Sequence, residues 1–172
     1  MVSGFKKNLA TKVSNTFDRH TYLPPSNVAI PAAIDTEASY PYEANDGNCR
    51  FNRTNVGATD TGFVDIPAGN ETALQIALAT VGPIAVTIAA SQPSFQFYSS
   101  GVYNEPACSK TELDHPFFLV GYDTATNGTF QQDYYIAKNS WGETWGNKGY
   151  IWMSRNKDNQ CGIANIASYP LV

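Results

Sequence analysis

The sequence predicts an α+β, β-rich fold: an antiparallel, barrel-like sheet with one main helix at about residues 70–81 and an irregular amino-terminal arm. Three observations lead there. The segment GNETALQIALATVGP stands out as a helix with its own start and stop signals. The runs after it are short, β-branched or aromatic, and separated by few residues, which is the pattern of sequential strands. Aromatic residues make up 13% of the 172-residue chain (ten Tyr, nine Phe, three Trp), and such side chains favour strands and large buried contacts.

Residues 1–35 are polar and end in HTYLPPSNVAIPAAID, where Pro24, Pro25 and Pro31 hold the backbone extended and prevent a continuous helix. This stretch reads as an arm able to lie across another surface. Residues 36–172 read as the folded body, with aromatic and turn residues thickening from Tyr40 onward. In the helix, Asn70 suits the N-cap, and Glu71 favours the positive end of the dipole. Leu74, Ala77, Leu78 and Val81 form one apolar stripe, and Gly82-Pro83 stops the helix. IAVTIAA (84–90) follows as a strand carrying Ile84, Val86 and Ile88 on one face. SQPSFQFYSSGVY is a short helical turn followed by an extended piece. Three more strands are expected over 117–123, 133–140 and 149–155, and Asn127-Gly128 between the first two is a hairpin turn signal.

Composition narrows the function classes. Hydrophobic residues at 42% and charged residues at 15% describe a globular chain. The net charge is −4 and no basic run exceeds Lys6-Lys7, which argues against a nucleic-acid partner. No apolar stretch approaches the roughly 20 residues that span a bilayer, so no membrane span is expected. Cys49, Cys108 and Cys161 are too widely spaced for a zinc site, and neither a metal nor a cofactor is expected. Asn52, Asn70 and Asn127 each open an N-x-[ST] sequon and are glycosylation candidates, a hint of secretory origin. The first 20 residues contain no apolar core of a signal peptide.

The chemistry-bearing residues lie in the second half. His115 sits in LDHPFFLVGYD, immediately before an apolar strand, and Asn139 closes the next strand, in NSWGETWGNKGY. A hairpin sets the start of its first strand beside the end of its second, which brings the two residues within reach. An imidazole whose ring N–H is held by an amide has its tautomer fixed and its other nitrogen free to exchange a proton. Trp141 is placed to cover that hydrogen bond from water and strengthen it. A lone His beside a strand is more often structural, and NSWG followed by WG and GY would also serve as a tight aromatic turn. The ordered combination decides between these readings: D-H before an apolar strand, then N-S-W-G-x-x-W-G-x-x-G-Y, then C-G-I-A near the end.

With those motifs, and with SYPYEA (39–44), DTGFVDIP (60–67), ATVGPIAV (79–86) and ASYP (167–170), the sequence resembles the papain-like cysteine peptidases, and within them the cathepsin L-like group. The resemblance covers residues 36–172 and implies the carboxy-terminal, right-hand domain of that fold. It implies that His115 is the general base, Asn139 the residue that orients it, and Trp141 their aromatic shield. It further implies a disulfide between Cys108 and Cys161, with Cys49 left unpaired because its family partner lies in the other half. Thr87, Leu113, Pro116 and Ile166 fall where the family lines the pocket for the substrate's second residue before the cut. A peptide or protein substrate and a lysosomal or extracellular location follow from the same likeness.

The family's nucleophile lies in a C-G-[SA]-C-[WY] motif about 130–150 residues ahead of the His and Asn. That motif does not occur in these 172 residues, and neither does the Q-G-x-C-G context of the oxyanion-hole glutamine. A reactive thiol needs a helix amino terminus and a nearby imidazolium. Cys49, in DGNCRF, and Cys108, in EPACSK, show neither setting. GFKKNLATKVSNTFDRHTYLPP resembles the end of a propeptide and IPAAID the start of a mature enzyme, after which Asp35 runs directly into TEASYPYEA, the opening of the second half in that family. The expectation is a truncated isoform or pseudoenzyme of a cysteine endopeptidase family that hydrolyses nothing by itself. The alternative is a non-catalytic protein that docks onto a peptidase, with the arm acting as an inhibitor. An uncovered apolar face predicts self-association, and a free Cys49 predicts disulfide-linked dimers. Pro116 stands where the family has Gly or Ala, and Asp123 replaces the second glycine of a GYG; both changes alter the expected substrate cleft.

Overall fold

A computed structural model of the chain describes residues 32–172, apart from Ala44, Asp46 and Gly47. Most of the expected amino-terminal arm lies outside the described residues. Those described fall into two compact units: residues up to Val64 together with Pro170–Val172, and Asp65–Tyr169.

In the first unit, β1 (Ala32–Asp35) pairs antiparallel with β2 (Val56–Asp60), from Ala32 opposite Asp60 to Asp35 opposite Val56. The last four residues of the expected arm are therefore a strand. The buried Asp35 carboxylate accepts the Asn52 N–H at 3.0 Å. Asn52 itself caps a 3-10 turn over Arg53–Asn55, its Oδ1 accepting both the N–H and the hydroxyl of Thr54 at 3.0 and 2.9 Å. β3 (Gly62–Asp65) starts beside the chain end, where the Thr61 N–H donates to the Leu171 carbonyl at 2.8 Å. Cys49 is exposed and free.

The second unit opens with α1 (Glu71–Thr80), and its start is as expected: Asn70 Oδ1 accepts the Ala73 N–H at 2.9 Å. Glu71 does more than face the dipole, since its carboxylate also accepts the backbone N–H groups of Asn156 and Asn159, anchoring a distant loop. Leu74 and Leu78 are buried and Ala77 packs against the core, but Val81 is half exposed. It is the C-cap, still bonded through its N–H to the Ala77 carbonyl at 2.8 Å, and lies at the exposed end of the helix beside Gly82-Pro83.

After α1 come β4 (Ile84–Ile88), the short α2 (Pro93–Gln96), β5 (Val102–Tyr103), β6 (His115–Asn127), β7 (Phe130–Lys138), β8 (Tyr150–Ser154) and β9 (Ala167–Leu171). The strand order is β9-β4-β6-β7-β8-β5, antiparallel except for the β5–β8 pair. The protein is thus β-rich with one main helix, as predicted, but the sheet stays open: β3 follows β9 in the same sheet, and no ladder joins either of them to β5 among the described residues. All five residues of β4 are buried, because it is an interior strand covered on both faces. The β6–β7 hairpin is longer than the sequence suggested and turns over Gly128-Thr129, with only Gly128 at positive φ. Asn127 is therefore the last strand residue and not the first turn residue. Near the other end, the β6–β7 register shifts between Leu119 and Gly121, leaving Val120 as a bulge.

Leu74, Ile84, Phe95, Leu119, Tyr135, Ile151, Met153 and Ile163 are almost fully buried and form the core of this unit. Cys108 and Cys161 form the disulfide that the resemblance implied. Gly162, next to it, has φ +70°, and an added Cβ would lie 2.5 Å from the Lys110 carbonyl oxygen. Only glycine fits there. No helix of the described residues is long and apolar enough to cross a membrane.

Candidate active site

His115 is the first residue of β6, and Asn139 follows the last residue of β7. The hairpin brings them together: His115 Nε2 lies 2.9 Å from Asn139 Oδ1. The Ser140 N–H donates to the same oxygen at 2.7 Å. A backbone N–H demands an acceptor, so this contact sets the amide orientation, and His115 Nε2 must then carry the ring proton. The lone pair of Nδ1 is left available. Asn139 is itself positioned through its backbone N–H, which donates to the Gly149 carbonyl at 2.9 Å. Its side chain is buried, and Nδ2 has no hydrogen-bond partner among the described residues.

Aromatic rings enclose the imidazole. Trp141 lies 5.2 Å from it between ring centres, with its outer side 42% exposed. Phe95, wholly buried in α2, meets His115 edge-on at 5.5 Å and Trp141 edge-on at 5.6 Å. Trp145 packs on Phe95 at 5.2 Å, and its Nε1–H donates to the Gln96 carbonyl at 2.9 Å, tying α2 to the loop after β7. Burial among these rings lowers the His115 pKa below the ordinary imidazole value; the Asn139 hydrogen bond and the charge of Asp114 oppose that effect without cancelling it. Burial therefore favours the neutral form of the imidazole, which sits in one tautomer among apolar rings.

Sequence reasoning missed Phe95 and gave Trp145 no role. Phe95 sits in a one-turn helix beside the exposed Phe97, and nothing local tells which of the two turns inward. Of the pocket candidates, β4–β6 pairing sets Thr87 opposite Pro116, and the Thr87 N–H donates to the Ile166 carbonyl at 3.1 Å, so the backbone gathers these three. Leu113 packs against Gly162. The three sequon residues Asn52, Asn70 and Asn127 are all exposed. The described residues contain no His/Cys/Asp/Glu group suited to a metal ion.

Residues 26–171 match the papain family cysteine protease description. Over 139 residues, 81% of the chain, the sequence is 60% identical to the cathepsin L-like peptidase of Aedes aegypti, covering 40% of that protein. It is equally 60% identical to cathepsin L1 of Drosophila melanogaster, covering 37% of it. Among solved structures, digestive procathepsin L 3 of the Tenebrio molitor larval midgut superposes with a TM-score of 0.74 at 42% identity, over 82% of this chain and 45% of that one. The chain spans about two-fifths of the length of the curated relatives it matches.

Proposed function

The chain belongs to the papain family of cysteine proteases, and on that premise we propose that His115 and Asn139 are the base and orienting members of a Cys-His-Asn peptidase site whose thiol does not lie among these 172 residues. The observation that carries this reading is the 2.9 Å contact from His115 Nε2 to Asn139 Oδ1, with Nδ1 left unprotonated. A thiol presented to Nδ1 would lose its proton to the ring, and the thiolate would attack the carbonyl of a peptide or protein substrate. The imidazolium would then return the proton to the leaving amine. The apolar collar favours neutral imidazole as the starting state, and Trp141 limits water at the Nε2–H bond.

The chain's own cysteines do not suit the missing role. Cys108 and Cys161 are joined to each other, and Cys49 is exposed in a segment with no helix. The Cys108–Cys161 disulfide and the family relationship support a lysosomal or extracellular site of action. The test is to treat the purified 172-residue protein with an epoxide or vinyl-sulfone probe for papain-like thiolates, and with a fluorogenic peptide substrate. Neither an adduct nor turnover is expected. Hydrolysis abolished by Cys49→Ser would overturn the proposal.

A further inference from the structure

The tip of the β6–β7 hairpin plays no part in the His115 site, yet it carries two features that explain each other. Asn127 opens the sequon Asn127-Gly128-Thr129, is exposed, and its side chain makes no hydrogen bond among the described residues. The other two sequon residues have their side-chain oxygens engaged, Asn52 with Thr54 and Asn70 with Ala73. Directly across the turn, in register with Asn127, stands Phe130, which is 62% exposed. Directly opposed residues project to the same face with Cβ atoms about 4.5–5.5 Å apart. Ala125, two residues back, and Gln132 opposite it are the neighbours on that face.

We propose that Asn127 is a site of N-linked glycosylation and that Phe130 is the platform on which the first sugar of the glycan packs. The donor is a lipid-diphosphate-linked oligosaccharide. The amide Nδ2 forms a bond to C1 of the first N-acetylglucosamine, the bond from C1 to the diphosphate oxygen breaks, the amide proton passes to a base of the transferase, and the lipid diphosphate leaves; nothing is oxidised or reduced. The x position of the sequon is Gly128 at φ +62°, so the turn sets no side chain between the two partners. The sugar's axial C–H groups carry partial positive charge and suit the negative face of the phenyl ring. A glycan at Asn127 would cover the exposed ring of Phe130.

The test is to direct the full chain through the secretory pathway of a eukaryotic host, recover it from the medium, and map occupancy by mass spectrometry after enzymatic deglycosylation in heavy-oxygen water. Conversion of Asn127 to isotope-labelled Asp is expected, together with loss of one glycan's mobility shift in Asn127→Gln. Secreted protein with Asn127 unmodified would overturn the assignment. The glycosylated protein should melt at a higher temperature than its deglycosylated form, and Phe130→Ala, at an exposed position that leaves the core untouched, should close that gap. A gap unchanged in Phe130→Ala would refute the platform.

Discussion

Replacing Asn139 by Ala removes both hydrogen bonds that converge on its side-chain oxygen, from His115 at 2.9 Å and from the Ser140 backbone at 2.7 Å. At about 1 kcal/mol net for each, the loss is about 2 kcal/mol. Part of it is returned, because the Asn139 Nδ2 group is buried without a partner and its deletion relieves about 1 kcal/mol. The net destabilisation is then about 1 kcal/mol, or about 2–4 °C in the melting midpoint. A change of that size would follow from many substitutions, so the diagnostic quantity is the His115 pKa. In the native site the Asn139 bond raises it against a larger lowering by burial. Asn139→Ala should move it further down. Asn139→Asp has the same shape, keeps an acceptor at the Oδ1 position and adds a negative charge, so it should move the value up. Following the His115 ring C–H resonance through a pH titration, with urea unfolding in parallel, reads both. Shifts in the same direction in the two variants, or an Ala variant titrating at or above the native value, would refute the assigned tautomer and hydrogen bond.

Two further outcomes follow from the second unit. Because burial lowers the folded-state pKa of His115 below the unfolded value of about 6.5, the unfolded chain binds the proton first; stability is held above that value and lost as pH falls through the window beneath it. The urea midpoint should therefore fall between about pH 7 and pH 5, less steeply in His115→Gln, and a midpoint that rises on acidification would contradict the burial argument. The Cys108–Cys161 bond closes a loop with a sequence separation of 53, which corresponds to about 4 kcal/mol from chain entropy. A Cys108→Ser, Cys161→Ser double variant should lose that much by urea denaturation, and a loss below about 1 kcal/mol would place the stabilisation elsewhere.

Features written into a few adjacent residues were legible before the structure. The helix cap at Asn70, the stop at Gly82-Pro83 and the extended stretches beginning near His115 and Tyr150 each depend on local propensity, and each is where the sequence put it. Features set by distant partners were not. Glu71 reads as a dipole residue, and its hold on the 156–159 loop depends on a segment more than eighty positions away. The full burial of β4 depends on β9 arriving beside it at the far end of the chain. Phe95 and Phe97 are chemically identical and two residues apart, and only the packing of Trp141 and Trp145 makes the first the inner wall of the site.

The His115–Asn139 pair lies between these cases. That a hairpin sets the start of one strand near the end of the other predicts proximity, but strand side chains alternate between faces, so proximity alone does not make two residues meet. In the outer part of the hairpin Gly121 stands opposite Ile136; continued inward, that register would set Asn139 opposite Phe118, on the other face from His115. The bulge at Val120 moves the inner part by one residue, pairing Leu119 with Ala137 and Phe118 with Lys138. The next residue, Asn139, then falls level with Phe117, on the face that His115 shares, and the ring contact between His115 and Phe117 at 6.1 Å agrees with that alignment. Val120 looks like any β-branched strand residue, so no local signal announces the bulge. Its effect is to bring the imidazole of one strand and the amide that follows the next into hydrogen-bond contact, which makes the backbone irregularity at Val120 as much a requirement of that contact as the side chains it aligns.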